Sequence, residues 1–220
     1  MRIDILTLFP SMFAPLKESI LNRAQKNKKL EINIINIRDY STDKHKKCDD
    51  APFGGGAGML MTPQPIASAI EAIDPAHKAK RIYLSCGGQV FTQKKAELLS
   101  REKRIILLCG HYEGIDHRII ELFIDEEISI GDFVLTGGEI PAMVVADCVA
   151  RHIEGVIKKE SLENDSFANG LIEYPQYTRP QEFMGKSVPE ILVNGHHAKI
   201  QKWRQEQAQL LTKKKRPDLL

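Results

Sequence analysis

Long apolar runs are missing from this chain of 220 residues: no stretch approaches the length of a membrane span. The opening MRIDILTLFP is too short in its apolar part for a signal peptide and already carries Asp4. Cysteine is sparse. Cys48, Cys86, Cys109 and Cys148 are widely spaced, contain no C-x-x-C pair, and with seven scattered histidines give no zinc-ligand spacing. That usage fits a reducing compartment, and a cytoplasmic protein with no membrane partner is expected. The usual nucleotide signatures are absent too. No G-x-G-x-x-G follows the first strand, which argues against a Rossmann dinucleotide site or the common Rossmann-type methyltransferase. No G-x-x-x-x-G-K-[ST] occurs, against a P-loop, and no G-x-S-x-G, against a hydrolase elbow. There is no internal repeat and no low-complexity tract.

What is present is ordinary in bulk and informative in pattern. Hydrophobic content of 42% and charged content of 27% suit a globular core. The net charge is only +2, but cations cluster at Lys26, Lys28 and Lys29, at Lys44, His45, Lys46 and Lys47, and at Lys213-Lys214-Lys215-Arg216. Such clusters fit a polyanion, or simply solvated lysines.

Taken in order, strand and helix alternate. Ile3–Phe9 reads as a buried strand, Ser11–Gln25 has helical spacing, and Leu30–Ile37 alternates as a second strand. Arg38–Asp50 is polar and basic, and Ala51–Met59 is a glycine-rich loop. Pro63–Ile73 is a helix with Thr62 as N-cap. Lys80–Leu84 is a strand, Thr92–Ser100 a helix capped by Thr92, Arg104–Leu108 a strand covered on both faces, and Ile115–Phe123 a helix. The apolar run Ile128–Ile130 precedes a loop ending in Gly137-Gly138, and a helix opens at Glu139 with Pro141 in its first turn. On that helix Val144, Asp147, Cys148 and Arg151 share one face, predicted to end in a buried-side cation, or in a cation that merely pairs with Asp147. The pattern predicts an α/β fold with a parallel sheet over residues 1–157. A polar linker over 158–169 and a small helical domain over 170–220 follow, the latter with Lys199, Lys202 and Arg204 on a polar face suited to a phosphate backbone.

Three glycine clusters, Ser85–Gly88, Cys109–Gly114 and Gly131–Gly138, each follow an apolar strand. In open α/β sheets, ligands sit beyond the carboxyl ends of strands. Three loops without side-chain bulk would surround a ligand with main-chain amides and carbonyls, as suits an adenine or ribose. Tight turns are the alternative.

The segments ILTLFPSMF (Ile5–Phe13), DDAPFGGGAGMLM (Asp49–Met61), Tyr83-Leu84-Ser85, LCGHYEGID (Leu108–Asp116), DEEISIGDFVLTGGEIP (Asp125–Pro141), NDSF (Asn164–Phe167), YPQYTRP (Tyr174–Pro180) and Asn194–Trp203 run in order across nearly the whole chain. Together they resemble the bacterial tRNA (guanine-N1)-methyltransferases of the SPOUT class. The resemblance implies methylation, from S-adenosylmethionine, of N1 of the guanine just 3′ of the tRNA anticodon. It also implies a trefoil knot at the end of the sheet domain and an obligate homodimer whose active site is shared between subunits.

By the same resemblance, the knot loops hold S-adenosylmethionine through Tyr83, Leu84, Ser85 and Cys86, then Gly110, Tyr112, Glu113 and Gly114. Ile130, Gly131, Asp132, Phe133, Val134, Leu135, Gly137, Gly138 and Pro141 complete the set. Asp165 matches the general base and Arg151 the catalytic arginine. The assignments make chemical sense, since guanine N1 must lose a proton to attack and charge then develops on O6. Glu113 is the candidate for assisting Mg2+, Asp49 for contacting RNA, and Lys199, Lys202 and Arg204 for gripping the anticodon arm. This chain departs from the family at Cys86 and Gly87, where Pro-Gln is usual, at His111 for arginine, and at Phe133 for tyrosine.

Overall fold

Two-sided apolar runs have only one place to go, the middle of a sheet covered on both faces. The computed structural model describes all 220 residues and divides them into two units, Met1–Ile157 and Lys158–Leu220. The first holds seven strands: β1 (Arg2–Thr7), β2 (Glu31–Asn36), β3 (Asp49–Asp50), β4 (Leu60–Met61), β5 (Lys80–Val90), β6 (Arg104–Cys109) and β7 (Glu126–Ser129). Its helices are α1 (Ser19–Lys26), α2 (Pro63–Ile73), α3 (Gln93–Leu99), α4 (His117–Phe123) and α5 (Glu139–Arg151). Five strands form one parallel sheet in the order β2-β1-β6-β5-β7, and β3 and β4 pair antiparallel beside it.

The twofold period of a strand sorts the core into two layers. Ile3, Ile5, Ile105, Leu107 and Cys109 face α1, α3 and α5, where Ala96, Leu99, Val145 and Val149 cover them. Leu6, Ile106 and Leu108 face α2 and α4, meeting Ile66, Ile70 and Ile119. Each such leucine or isoleucine contributes about 1.5–3 kcal/mol on full burial. The two layers clamp β1 and β6, so the carboxyl ends of β5, β6 and β7 are presented from a rigid base.

The opposite end of the sheet is held by charge. Arg104 donates from Nε to the buried Asp4 (2.7 Å) and from Nη2 to the Ile73 carbonyl (2.9 Å). Arg81 donates from Nε to Asp74 Oδ2 (3.1 Å) and from Nη2 to the Asp74 carbonyl (2.7 Å), with both residues nearly solvent-free. Burial pushes the Asp74 carboxyl up, but the Lys78 and Ala79 amides and the Arg81 guanidinium outweigh it and hold the group below its ordinary value.

Several local expectations need correction. Ser11–Gln25 is not one helix but a 3-10 segment, Pro10–Lys17, followed by α1. Pro15 lies inside the stretch without an N–H to donate, and Ser19 turns the chain at φ 51°. Thr62 makes no side-chain cap bond, whereas Thr92 accepts from the Lys95 amide (3.2 Å). β5 does not stop at Leu84 but continues to Val90 beyond a bulge. On α5 the buried face is Ala142, Val145, Ala146, Val149 and Ala150, while Val144 and Asp147 point outward. Small residues let that helix approach the sheet closely, so the face carrying Arg151 is the outer one and Arg151 is half-buried.

The second unit contains α6 (Lys159–Asn164), the hairpin β8 (Glu182–Phe183) and β9 (Lys186–Ser187), α7 (Glu190–Val193) and α8 (His197–Lys215). Thr212 on α8 is fully buried: its hydroxyl donates to the Ala208 carbonyl (2.7 Å) and accepts from the Ile172 amide (2.9 Å). The segment is thereby pinned to α8, and the Arg204 guanidinium sits 4.9 Å from the Tyr174 ring centre. No helix is long and apolar enough to cross a membrane.

Asp74→Ala would leave the buried Arg81 without its carboxylate partner and is expected to cost about 3 kcal/mol in denaturant unfolding. Because the folded-state pKa of Asp74 is depressed, its contribution is present above the unfolded value of about 3.9 and is lost as pH falls through the lower folded value. The stability gap between wild type and variant should therefore shrink below about pH 4. A gap unchanged by acid would contradict this.

Candidate active site

Three strand ends build the site, each using glycine for a different reason. Leaving Leu84, β5 bulges out over residues 85–88 and re-pairs with β7 at Gln89 and Val90. A Cβ at Gly88 would lie 2.4 Å from the backbone of Glu127 and Ile128, so the return is closed to any side chain. The Ser85 hydroxyl accepts from the Gly87 amide (3.0 Å) and shapes the bulge. After β6 the chain turns through Tyr112 (φ 59°) and Gly114 (φ 124°), and is tied to β4 by Glu113 N–H to the Met59 carbonyl (3.0 Å) and Met61 N–H to the Gly114 carbonyl (2.9 Å). After β7 the Ser129 hydroxyl donates to the Gly131 carbonyl (3.1 Å) and accepts from its amide (3.2 Å).

The third loop then returns across the second. Gly138 N–H donates to the Gly110 carbonyl (2.8 Å), and a Cβ at Gly138 would lie 2.7 Å from Cys109 Cα. Cys86 Sγ contacts the Phe133 carbonyl at 3.5 Å, joining the third loop to the first. The three loops enclose a cleft of about 280 Å³. Its lining comes from residues 83–87, 110–114, 128–131 and 135–138, with Phe133 and Pro141.

Polar side chains at Ser85, His111, Tyr112, Glu113, Ser129 and Thr136 also line the cleft. Burial, helped by Glu127 and Cys86, pushes the Tyr83 phenol up to about 12, so it stays protonated. A Cβ at Gly110 would meet that hydroxyl at 2.8 Å. Glu139, 1% exposed, accepts from the Thr7 hydroxyl (2.8 Å) and stands 3.9 Å from His111 Nδ1, a buried atom with no hydrogen-bond partner. The amino end of α5 is therefore matched by its own buried carboxylate rather than left bare for an anion. Burial raises the Cys109 thiol well above its ordinary value, which keeps it inert.

Most residues expected to hold a cofactor meet in this cleft, but Asp132 and Val134 do not line it, and Val134 is 86% exposed. Sequence reasoning missed Gly87, His111, Ile128, Ser129 and Thr136 as lining residues. Gly87 and His111 lie inside the glycine motifs, where the signal was available. Ile128 and Ser129 are strand residues whose last turn faces the cleft, and nothing in their type gives that away.

The residues expected to serve the metal, the RNA and the proton transfer fall in both units, and Glu113 is also part of the cleft lining. Glu113 packs against Gly58, whose added Cβ would lie 2.4 Å from Glu113 Cγ. No group of three or more His, Cys, Asp or Glu side chains is placed to hold a metal ion. Asp49 lies half-buried in β3 opposite Met61. Arg151 closes α5 in the first unit, and Asp165 follows α6 in the second. Asp165 lines a separate cleft of about 230 Å³ together with Tyr174 and Arg204. Lys199 and Lys202 are exposed on α8.

A family model described as tRNA (Guanine-1)-methyltransferase TrmD matches residues 1–220. The chain belongs to this family. Among its relatives, a tRNA (guanine-N(1)-)-methyltransferase of Ruminiclostridium cellulolyticum is 59% identical over 223 residues, covering 100% of this chain and 96% of that protein. One of Alkaliphilus oremlandii is 58% identical over 229 residues (100% and 92%), and one of Clostridium botulinum 54% over 220 residues (100% and 91%). Family membership makes the chain an S-adenosylmethionine-dependent tRNA methyltransferase that modifies N1 of guanine.

Gly138→Ala is expected to slow methyl transfer about 100-fold, because its methyl group must push the third loop off Cys109 and Gly110. Initial rates of 1-methylguanosine formation measure this, with circular dichroism to verify folding. A folded variant of near wild-type rate would contradict the close-approach argument.

Proposed function

We propose that the cleft at the ends of β5, β6 and β7 is the S-adenosylmethionine site, and that the chain methylates N1 of the guanine immediately 3′ of the tRNA anticodon. The observation that carries this reading is the meeting of three nearly bare main-chain loops. Side-chain atoms added at Gly110, Gly137 or Gly138 would collide within 2.8 Å of existing groups, so the backbone itself forms the wall. Such a wall fits an adenosine, whose edge and ribose can be read by amides and carbonyls. Tyr83, Leu84, Ser85 and Cys86 would form one side, Gly110, Tyr112 and Gly114 a second, and Ile130, Gly131, Leu135, Gly137 and Gly138 a third. When bound, S-adenosylmethionine supplies a methyl group made electrophilic by its sulfonium.

The protein's own part is proton and charge handling. The Asp165 carboxylate accepts the proton from guanine N1, leaving the N1 lone pair free to attack. The Arg151 guanidinium balances the negative charge that builds on O6. Thr136 and His111 lie on the cleft wall and help shape it. The residues present do not assemble a site for the Mg2+ that the resemblance implies.

Higher-order features follow the same reading. The contacts of residues 131–138 with both other loops support a threaded, trefoil-knotted crossing. Phe133, Val134, Ile140 and Val144 are exposed apolar side chains beside the cleft and on the outer face of α5. They support a homodimer in which two copies share each active site. Residues 158–169 act as the link to a tRNA-binding C-terminal domain, and the exposed Lys199 and Lys202, with Arg204 and Asp49, contact the anticodon arm. The enzyme would work in the cytoplasm, where its tRNA substrate is.

Asp165→Ala and Arg151→Ala should each lower turnover by about 100-fold or more. S-adenosylmethionine affinity measured by calorimetry should stay near wild type, because neither side chain lines the cleft. Nucleoside analysis of the product must show 1-methylguanosine. Retained turnover in Asp165→Ala would reject its role as the base, and a ribose-methylated product would reject the reaction.

A further inference from the structure

Phe53 is the most exposed large apolar residue of the chain, at 100%. It sits at the tip of the loop between β3 and β4, and nothing covers it. Gly54, Gly55 and Gly56 follow at φ 84°, 80° and 131°, and side-chain atoms added at Gly54 or Gly55 would meet nothing within 4 Å. The tip is open on all sides, yet its base is fixed. Asp49 pairs with Met61 and Asp50 with Leu60, and Thr62 N–H donates to the Cys48 carbonyl (2.8 Å). Through Glu113 N–H to the Met59 carbonyl (3.0 Å), the loop is rooted on the same turn that forms the cleft's second wall.

The chemistry along this hairpin is divided. Residues 51–59 carry no charged side chain, so the tip's contribution is the Phe53 ring and main chain. Just before β3, Lys44, His45, Lys46 and Lys47 are all exposed. The Asp43 side chain holds their backbone in a turn by accepting from the His45 (2.7 Å) and Lys47 (3.1 Å) amides. Lys47 lies 3.6 Å from Asp50, which offsets that carboxylate where the cations approach the hairpin. An uncharged aromatic on a yielding glycine stretch, beside a cationic turn, matches single-stranded RNA: bases stack on the ring and phosphates lie on the cations.

We propose that Phe53 is a stacking platform for an unpaired nucleobase of the tRNA anticodon loop, close to the guanine being methylated, with the Lys44 to Lys47 turn holding the adjoining phosphates. This rests on the reading of the cleft as the methyl-transfer site, since the hairpin is rooted on the cleft wall. The glycines let the ring swing onto a base without dragging the fixed hairpin base with it.

The test compares full-length Phe53→Ala and Phe53→Trp with wild type, on tRNA and on anticodon stem-loops carrying 2-aminopurine next to the target guanine. Phe53→Ala should raise KM for tRNA about ten-fold, the order expected for one lost base–aromatic stack, with kcat altered less than roughly two-fold. Phe53→Trp should restore KM, and 2-aminopurine fluorescence should be quenched by wild type and Phe53→Trp but not by Phe53→Ala. A KM for Phe53→Ala within roughly two-fold of wild type overturns the proposal. So does an equal defect in Phe53→Trp, or sedimentation showing that Phe53→Ala has lost a subunit contact instead. Failure of wild type itself to methylate tRNA would sink the cleft reading, whereas an active wild type matched by Phe53→Ala sinks the stacking role alone.

Discussion

Everything at the functional end of the molecule depends on two peptide units lying too close together to admit a side chain. Gly138 donates to the Gly110 carbonyl at 2.8 Å, and its Cα hydrogen points at Cys109 where a methyl group would clash. That contact brings the loop after β7 across the loop after β6 and opens α5 at the spot where the cleft closes. Tyr83 fits beneath Gly110 only because Gly110 is also bare. Larger residues at either position would separate the loops, and the cleft between them would have no floor.

Such a contact needs a base that does not yield. The sheet provides it by burying β1 and β6 between two apolar layers, and by spending its buried charges elsewhere. Asp4, Asp74, Arg81 and Arg104 are gathered near the strands' amino ends, paired with one another and with backbone carbonyls. The carboxyl ends carry the glycine loops, the phenols of Tyr83 and Tyr112, and the Thr7–Glu139 hydrogen bond. The buried ion pairs thus lie at one edge of the sheet and the ligand-facing loops at the other, with Glu139 the one buried carboxylate on the ligand side.

Strands β1, β2 and β6 and helices α2, α3 and α4 could be read from the residues, because apolar runs, alternation and helical spacing leave little choice. The apolar run Ile128–Ile130, by contrast, caught only the end of β7 (Glu126–Ser129). Where reading failed, a local rule lost to packing or chain geometry. Pro15 broke an amphipathic stretch whose apolar spacing was sound. β5 carried on through glycines that looked like its end, because the bulge lets Gln89 and Val90 rejoin β7. On α5, alanines chose the buried face over the larger Val144, since close approach to the sheet was worth more than side-chain area. The cleft was legible as three glycine clusters, although their crossing was not. Asp165 and Arg151 could be named only through family resemblance, because an aspartate in a polar segment and an arginine at a helix end carry no signal of their own.

Hydrogen–deuterium exchange of the full chain with and without S-adenosylmethionine addresses the central claim directly. Slowed exchange confined to residues 83–88, 110–114 and 129–138, with Gly138 among the most protected amides, is the predicted result. Protection centred on residues 158–220, or none in the three loops at saturating cofactor, would contradict it.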